Sequence, residues 1–269
     1  MKIALVNFWP IDKNPQKNLD AKKILIEKIL KIDPKISTVI FPELSFTGYL
    51  LEKNNKNFAE NLDGFCISGA KNLAKNFGVN LIGGFIEKNE KNLPFNSAFA
   101  ISKTGKILGI YRKNHLFSQS PEAKFFATGG GKTVIFELEN FRCGISICFD
   151  VRFPRLFEFY KKSGAEIIFG IFNWVTGPRK ILTFNFLNAA RAHENQFFVA
   201  AVDRIGRDKN CKYCGCGGVF DPRGKKISRK IENFYFAEIQ KNKIAEIEKN
   251  LPLAPGFLKK YFWKKNEKI

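Results

Sequence analysis

Short apolar runs alternate along this chain with stretches whose apolar residues recur at helical spacing, and turn residues separate the two. The segment 19–31 carries Ile24, Ile29 and Leu30 at helical spacing, and Pro34 closes it. The pattern predicts strands at 2–8, 37–41, 79–87, 97–102, 107–112, 133–138, 142–147, 166–171, 197–203, 217–220, 225–231 and 236–239, and helices at 19–31, 67–77, 153–162 and 179–194.

Turn motifs join several of these strands in pairs. The turns 103–106 and 221–224 each predict a hairpin between the strands beside them. The order strand, helix, strand, helix, strand occurs in both halves, without a linker or a sequence repeat. We therefore expect one domain over 1–269, of the α/β class, with two sheets face to face and helices outside.

Composition and charge narrow the classes of function. Apolar residues make up 45% of the 269 residues and include 29 Phe, which is enough for a large aromatic core. No apolar run approaches the roughly 18 residues of a membrane span, and 1–8 lacks signal-peptide anatomy, so a cytoplasmic location is expected. The net charge is +20, but the lysines are scattered, which favours a solvated surface over a nucleic-acid site.

Six cysteines occur, and in a long chain without a signal peptide they are expected to be free thiols. Three of them, Cys211, Cys214 and Cys216, have the spacing C-x-x-C-x-C in a glycine-rich loop. A zinc site or a redox-sensitive pair there are alternatives, but no fourth zinc ligand is evident. The favoured interpretation is a loop with incidental thiols and no metal.

The most informative segment is the apolar run 141–147, which ends in Cys148. Asp150 follows two places on, and then Arg152-Phe153-Pro154 predicts a helix start. At such an elbow, backbone N–H groups and the helix dipole favour an anion. The position therefore suits a thiolate nucleophile and the oxyanion that it creates.

Three more polar residues stand at ends of predicted strands or in the loop that follows one. Glu43 follows the strand 37–41, Lys113 ends a hairpin strand, and Glu122 lies in the next loop. Taken singly, each has an ordinary interpretation as a cap or a solvated residue, and a strand cysteine such as Cys143 is ordinarily a small core residue.

Taken together, these residues resemble the nitrilase, or carbon–nitrogen hydrolase, superfamily. The order Glu43, Lys113, Cys148, with gaps of 70 and 35 residues, is similar to that family's catalytic triad. The segments that extend the resemblance are 148–154, 172–178, 190–196 and 221–224, and those with Thr176-Gly177-Pro178 and Ala190-Arg191-Ala192 point to the omega-amidase and Nit-type branches.

The resemblance implies a four-layer α-β-β-α sandwich of two mixed sheets with outer helices. It also implies a homodimer or a larger homo-oligomer, formed through helices. The basic, aromatic tail 251–269 is a further candidate for the interface. The expected substrate is a small, anionic amide. No cofactor is expected, and neither a nucleic acid nor a membrane is an expected partner.

The resemblance also assigns roles to residues. Cys148 would attack the amide carbonyl and form a thioester, and Glu43 would act as general base and then as acid toward ammonia. Lys113 would direct positive charge toward the oxyanion beside the backbone N–H of Phe149, and Glu122 would support the lysine.

Two further residues are expected to bind substrate. Arg152 would hold a substrate carboxylate, for which a planar guanidinium is well suited, and Asn173 would line the pocket. The chain departs from the family pattern at Arg155, where glutamate is usual. It departs again at Arg179-Lys180-Ile181, where relatives carry a His-Trp pair, and more positive charge near the pocket would suit an acidic substrate.

The leading hypothesis is a thiol amidase that releases ammonia from a small carboxylate-bearing amide, such as an omega-amide. The alternatives within the enzyme class are a deaminated-glutathione-type amidase and an N-carbamoyl amino acid hydrolase. Nitrile hydrolysis is less favoured, because Phe149-Asp150 stands where nitrilases tend to have Trp-Glu. A basic or zinc-binding protein without enzymatic activity is the alternative of a different class.

Overall fold

Strands and helices alternate in the computed structural model, which describes residues 1–90, 93–209 and 211–253. The strands are β1 (Lys2–Val6), β2 (Thr38–Ile40), β3 (Asn80–Glu87), β4 (Phe95–Ile101), β5 (Ile107–Arg112), β6 (Phe136–Leu138), β7 (Phe141–Ile147), β8 (Ile167–Phe172), β9 (Phe198–Asp203), β10 (Gly217–Phe220), β11 (Arg229–Ile231) and β12 (Phe234–Glu238). The helices are α1 (Pro15–Ile32), α2 (Phe65–Phe77), α3 (Pro154–Lys162), α4 (Lys180–Asn195) and α5 (Asn242–Asn250).

The strands form two mixed sheets. One has seven strands in the order β11-β12-β1-β2-β3-β4-β5, and the other has five in the order β10-β9-β8-β7-β6. Strands β1, β2 and β3 are parallel in the first sheet, and β7, β8 and β9 are parallel in the second. Because parallel strands end at the same edge of a sheet, the residues that follow them can converge there.

The main apolar core lies between the two sheets. Strand β1 illustrates its origin, since successive side chains of a strand point to opposite faces. Ile3 and Leu5 belong to the buried cluster that contains Phe169 of the second sheet. Ala4 and Val6 belong to a different cluster, which includes side chains of α1 and α2.

Helices cover the outer face of each sheet. Ile26 of α1 and Ile67 of α2 are fully buried against the first sheet. Phe157 of α3 and Phe184 of α4 pack into the cluster of the second sheet. The result is the predicted four-layer α-β-β-α sandwich, and this prediction is confirmed.

The predicted hairpin through 217–231 forms only next to its turn. Phe220 is bridged to Lys226, and Ile227 N donates to Val219 O at 2.8 Å, but β11 itself belongs to the other sheet, so the prediction is wrong for 229–231. After the turn 221–224 the chain crosses to the seven-stranded sheet, where β11 pairs with β12. A turn motif fixes where the chain reverses, but it does not determine which sheet receives the next strand.

Several boundaries also differ from prediction. A 3₁₀ helix, Cys148–Arg152, precedes α3, because the chain tightens at the elbow before the regular helix begins at Pro154. On α1, Ile24 is 63% exposed and Ile26 faces the core instead. Helix α5 was not predicted.

Most of the tail 251–269 lies outside the described residues, so its predicted place at an interface lies outside them as well. None of the described helices has the length and apolar character to cross a membrane.

A buried lysine ties α1 to the loop after β2. Lys22 Nζ donates a hydrogen bond of 2.5 Å to the Ser45 carbonyl and lies 4.2 Å and 4.1 Å from the ring centres of Phe8 and Phe46. Burial lowers the pKa of Lys22 well below its usual value. At a pH between the folded-state and the unfolded-state pKa of Lys22, the amine is therefore protonated in the unfolded chain and neutral in the folded chain.

We predict that Lys22→Met weakens the rise of stability with pH. Stability increases with pH wherever the unfolded state binds more protons, so the free-energy cost of burying Lys22 falls progressively as the pH rises toward about 10.4. The free energy of unfolding of Lys22→Met should rise less between about pH 7 and about pH 9, by at most about 1.4 kcal/mol per pH unit. Lys23→Met, at an exposed neighbouring position, is the control; equal pH slopes in all three proteins would contradict the prediction.

Candidate active site

The elbow after β7 holds Cys148 in a left-handed backbone conformation. Its φ is +47°, which is uncommon for a residue other than glycine and is often found at functional sites. Cys148 is the first residue of the 3₁₀ helix, and 9% of it is exposed. The N–H groups that begin such a helix have no intrahelical acceptor, so they are available to an anion beside the sulfur.

Asp150 holds this elbow in place. Its Oδ2 accepts hydrogen bonds from Ile147 N at 3.0 Å and from the Tyr111 hydroxyl at 2.7 Å. Its Oδ1 accepts one from His115 N at 3.0 Å and contacts the His115 ring nitrogen Nδ1 at 2.7 Å. One buried carboxylate thus fixes the cysteine elbow to the segment that carries Lys113.

Glu43 follows β2 and is almost completely buried. Its Oε1 accepts hydrogen bonds from Lys113 Nζ at 2.8 Å and Asn96 Nδ2 at 2.7 Å. Its Oε2 accepts one from Asn173 N at 2.7 Å. The carboxylate is therefore fixed by both sheets, since Asn96 lies on β4 and Asn173 follows β8.

Lys113 and Glu122 complete a buried charge cluster. Lys113 Nζ lies 2.9 Å and 3.0 Å from the two carboxylate oxygens of Glu122, in addition to its bond to Glu43. Glu122 also accepts from Phe117 N at 2.5 Å and from Asn96 Nδ2 at 3.0 Å. Two carboxylates and one ammonium leave a formal charge of −1 at a position where each side chain is at most 1% exposed.

The pKa values reflect this environment. Burial, together with Glu122, raises the pKa of Glu43 despite the opposing effect of Lys113. Burial alone would lower the pKa of Lys113, but Glu122 and Glu43 raise it well above its usual value. Burial and the Glu43 charge raise the pKa of the Cys148 thiol, so the resting sulfur is protonated and needs a base.

The backbone of Asn173 connects the thiol with Glu43. The Cys148 thiol donates to Asn173 O at 3.8 Å, while Asn173 N donates to Glu43. The side-chain amide of Asn173 is buried, and neither its nitrogen nor its oxygen has a partner among the described residues. Buried polar atoms of this kind ordinarily meet a partner, which here would be a bound molecule.

A narrow pocket of about 20 Å³, with room for little more than a water molecule, opens above the sulfur. The residues that line it are Phe117, Cys148, Phe149, Arg152, Asn173, Trp174, Val175 and Lys180. Glu43, Lys113 and Glu122 lie behind Cys148. The structure thus brings the seven predicted site residues together. Four form a buried cluster, namely Glu43, Lys113, Glu122 and Cys148, and three lie around the opening, namely Phe149, Arg152 and Asn173.

Two cations lie beside the same indole at this pocket. The Arg152 guanidinium carbon is 5.1 Å from the Trp174 ring, and Lys180 Nζ is 5.3 Å from it. Neither cation forms an ion pair with a carboxylate of the described residues. Both therefore remain available to a negatively charged ligand.

Sequence reasoning missed two kinds of residue. Asn96, which donates to both glutamates, was overlooked, although an asparagine within the apolar strand 95–101 is a detectable signal. The sequence shows Trp174 and Lys180 only as parts of two motifs. It does not predict the contact between these side chains, which depends on how the loop before α4 folds. In the described ranges no three His, Cys, Asp or Glu side chains cluster closely enough to hold a metal ion.

Comparisons with known proteins identify the family of the chain. The family model for carbon–nitrogen hydrolases matches residues 2–249, and the chain belongs to that family. It is 30% identical to the 2-oxoglutaramate amidase of Bacillus subtilis, with 89% of this chain and 90% of the relative covered. It is 29% identical to an omega-amidase of Danio rerio, with 94% and 92% covered.

A solved structure gives the same result for the fold. Nit3 of Saccharomyces cerevisiae, a member of the nitrilase superfamily, superposes with a TM-score of 0.85 at 25% identity, covering 94% of this chain and 95% of that one. The protein is therefore a carbon–nitrogen hydrolase that acts on amides. The alternative of a basic or zinc-binding protein without enzymatic activity is wrong.

A glycine behind Glu43 provides a test of the site geometry. A Cβ on Gly84 would lie 2.3 Å from Leu44 N and 2.9 Å from the Glu43 backbone, neither of which can move independently of the carboxylate. We predict that Gly84→Ala lowers turnover of an amide on the order of a hundredfold while the circular dichroism spectrum is retained. Gly83→Ala is the matched control, because its Cβ meets a Phe99 ring atom at 3.2 Å. Normal turnover in Gly84→Ala would show that the position of Glu43 is not critical.

Proposed function

We propose that the protein hydrolyses the terminal amide of a small carboxylate-bearing amide through a thioester on Cys148 and releases ammonia. The observation that carries the proposal is the buried Glu43–Lys113–Glu122 cluster behind a thiol that forms the floor of a pocket. The names of the amidase relatives support the reaction class.

In the first half of the reaction, Glu43 accepts the proton of Cys148 as the sulfur attacks the amide carbon. The raised pKa of Glu43 makes it a better base for this thiol than an ordinary glutamate, and the same group can return the proton to the leaving nitrogen. Ammonia leaves, and the acyl group remains on sulfur.

In the second half, Glu43 takes a proton from water, and the resulting hydroxide attacks the thioester. The carboxylic acid departs, and the proton returns to Cys148. No other titratable group is needed for this sequence, because one carboxylate alternates between base and acid.

Lys113 and the backbone N–H of Phe149 stabilise the oxyanion in both halves. The ammonium already contacts Glu43 and both oxygens of Glu122, so it contributes mainly through its charge. Glu122 keeps this ammonium in place and raises the pKa of Glu43. Its role is therefore to position the lysine.

Arg152 and Lys180 bind the carboxylate of the substrate at the pocket opening, and the unpartnered amide of Asn173 binds a polar group closer to the sulfur. Two cations beside Trp174 favour an anionic substrate. The narrowness of the pocket favours a short omega-amide or its 2-oxo analogue over a tripeptide-like amide.

The proposal extends to assembly and location. Helices α3 and α4 expose Phe159, Ile181 and Phe186 at 46%, 60% and 64%, and a second copy of the chain is the partner that we propose for this surface. A single domain over 1–269 and a cytoplasmic location also remain predictions. The six free thiols support the location.

The reaction is tested by ammonia release from a panel of amides. Succinamate, glutaramate, their 2-oxo analogues, N-carbamoyl amino acids and nitriles should be compared. We predict that Glu43→Gln lowers turnover by roughly 10²–10⁴-fold and that Cys148→Ala removes it, with the fold intact in both. If Glu43→Gln hydrolyses amides at nearly the normal rate, Glu43 is not the base.

Substrate charge is tested separately. We predict that Arg152→Ala and Lys180→Ala each raise the KM for glutaramate by roughly tenfold to a hundredfold, because each removes a charge-assisted hydrogen bond. The kcat of both variants should change little. Their KM for valeramide, which has a methyl group in place of the carboxylate, should equal that of the wild type. Arg155→Ala, outside the pocket, is the control. An equal loss on valeramide would eliminate the carboxylate-binding role.

A further inference from the structure

The side-chain amide of Asn96 bridges the two carboxylates of the buried charge cluster. Asn96 Nδ2 donates to Glu43 Oε1 at 2.7 Å and to Glu122 Oε1 at 3.0 Å. Lys113 Nζ donates to the same two oxygens, at 2.8 Å and 2.9 Å. The two carboxylates are therefore joined twice, once by a charged donor and once by a neutral one.

The surroundings of this amide fix its orientation. Asn96 is fully buried on β4, and its backbone carbonyl accepts from Lys113 N at 2.9 Å. Its Oδ1 has no partner among the described residues, but turning the amide around would direct that oxygen at the carboxylates of Glu43 and Glu122. The NH2 group therefore faces the two glutamates. An amide donates both of its protons without acting as an acid, so this bridge does not titrate.

The donors are divided unequally between the two oxygens of Glu43. Each carboxylate oxygen has two lone-pair sites. Lys113 and Asn96 occupy both sites of Oε1, whereas Oε2 accepts only from Asn173 N, at 2.7 Å, among the described residues. A site for a proton thus remains on Oε2. This oxygen also lies toward the sulfur, because Asn173 O accepts the hydrogen bond of the Cys148 thiol.

We propose that Asn96 is a positioning residue, which closes Oε1 of Glu43 and so confines the proton of the amidase reaction to Oε2. The inference rests on the proposed function, in which Glu43 takes a proton from Cys148. The S–H bond breaks, an O–H bond forms at Oε2, and the same proton then passes from Oε2 to the leaving nitrogen. Without the amide, Oε1 becomes a second place for the proton, on the side away from the sulfur.

Loss of the amide also changes the pKa of Glu43. Burial and Glu122 raise this pKa, while Lys113 and the bond from Asn96 lower it. A hydrogen bond to the charged form of a carboxyl stabilises that form, so removing the bond from Asn96 raises the pKa of Glu43. Four titratable groups that face Glu43 stay in place when Asn96 is replaced: Lys113, Glu122, Cys148 and Tyr49.

The pH dependence of Cys148 alkylation tests this inference without an amide substrate. Iodoacetamide reacts with the sulfur after Glu43 has taken its proton, so the rate should fall at low pH, where Glu43 is protonated. Peptide mapping gives the rate at Cys148. We predict that Asn96→Leu, which is similar in shape but has no donor, moves this acid limb to higher pH by about one to two units. Asn96→Ser, which is smaller and polar, should move it in the same direction.

Turnover of glutaramate provides a second readout. The kcat of both Asn96 variants should fall roughly tenfold to a hundredfold, because part of the proton is held away from the sulfur. Their KM should change little, since Asn96 does not line the pocket. The acid limb of kcat/KM should move together with that of alkylation.

Ser97→Ala is the matched control. The Ser97 hydroxyl, on the same strand, donates to Glu87 Oε2 at 2.6 Å, so this variant also loses a buried hydrogen bond to a glutamate, but outside the cluster. It should lower stability without moving either acid limb. Acid limbs that stay in place in folded Asn96 variants would overturn the inference alone. Wild-type alkylation that does not fall at low pH would overturn Glu43 as the base, and the inference with it.

Discussion

The buried ammonium of Lys113 is the interaction on which the rest of the site depends. It lies between Glu43 and Glu122 at 2.8 to 3.0 Å, and all three side chains are at most 1% exposed. Removing one member of such a cluster leaves a buried charge without compensation, which typically costs about 3–5 kcal/mol. The cluster thus constrains both the fold around it and the protonation of Cys148, since burial and then the Glu43 charge raise the pKa of the thiol.

The two-sheet architecture explains how residues so distant in sequence meet. Glu43 leaves a parallel strand of one sheet, and Cys148 and Asn173 leave neighbouring parallel strands of the other. Backbone groups carry much of the alignment: Asn173 N binds Glu43, and Asn173 O faces the thiol. A rigid backbone bridge positions an acid and a sulfur more exactly than two flexible side chains could.

The sequence was informative where the chemistry is local. The elbow at Cys148, the carboxylate after β2 and the family resemblance together predicted the layers and every side chain of the charge cluster except Asn96. Long-range packing decided what was missed. Nothing near Lys180 in the sequence indicates that it lies beside Trp174, and the turn 221–224 does not reveal that β11 crosses to the other sheet.

The loop with Cys214 and Cys216 shows the same limit. Its spacing is compatible with a zinc site, a redox-sensitive pair or incidental thiols. Which of these is right depends on the groups that surround the loop in the fold. Asp203 accepts hydrogen bonds from Trp174 N and from Gly215 N, so this loop is tied to the pocket wall through a buried carboxylate.

The central claim is that Glu43, held by Lys113, activates Cys148 to form an acyl-enzyme. The most direct measurement is the intact mass of the protein quenched in acid during turnover of glutaramate, followed by peptide mapping. The account predicts an adduct with the mass of the substrate less ammonia, carried by Cys148 and missing from Glu43→Gln. Turnover with no adduct on Cys148, or an equal adduct in Glu43→Gln, would contradict it.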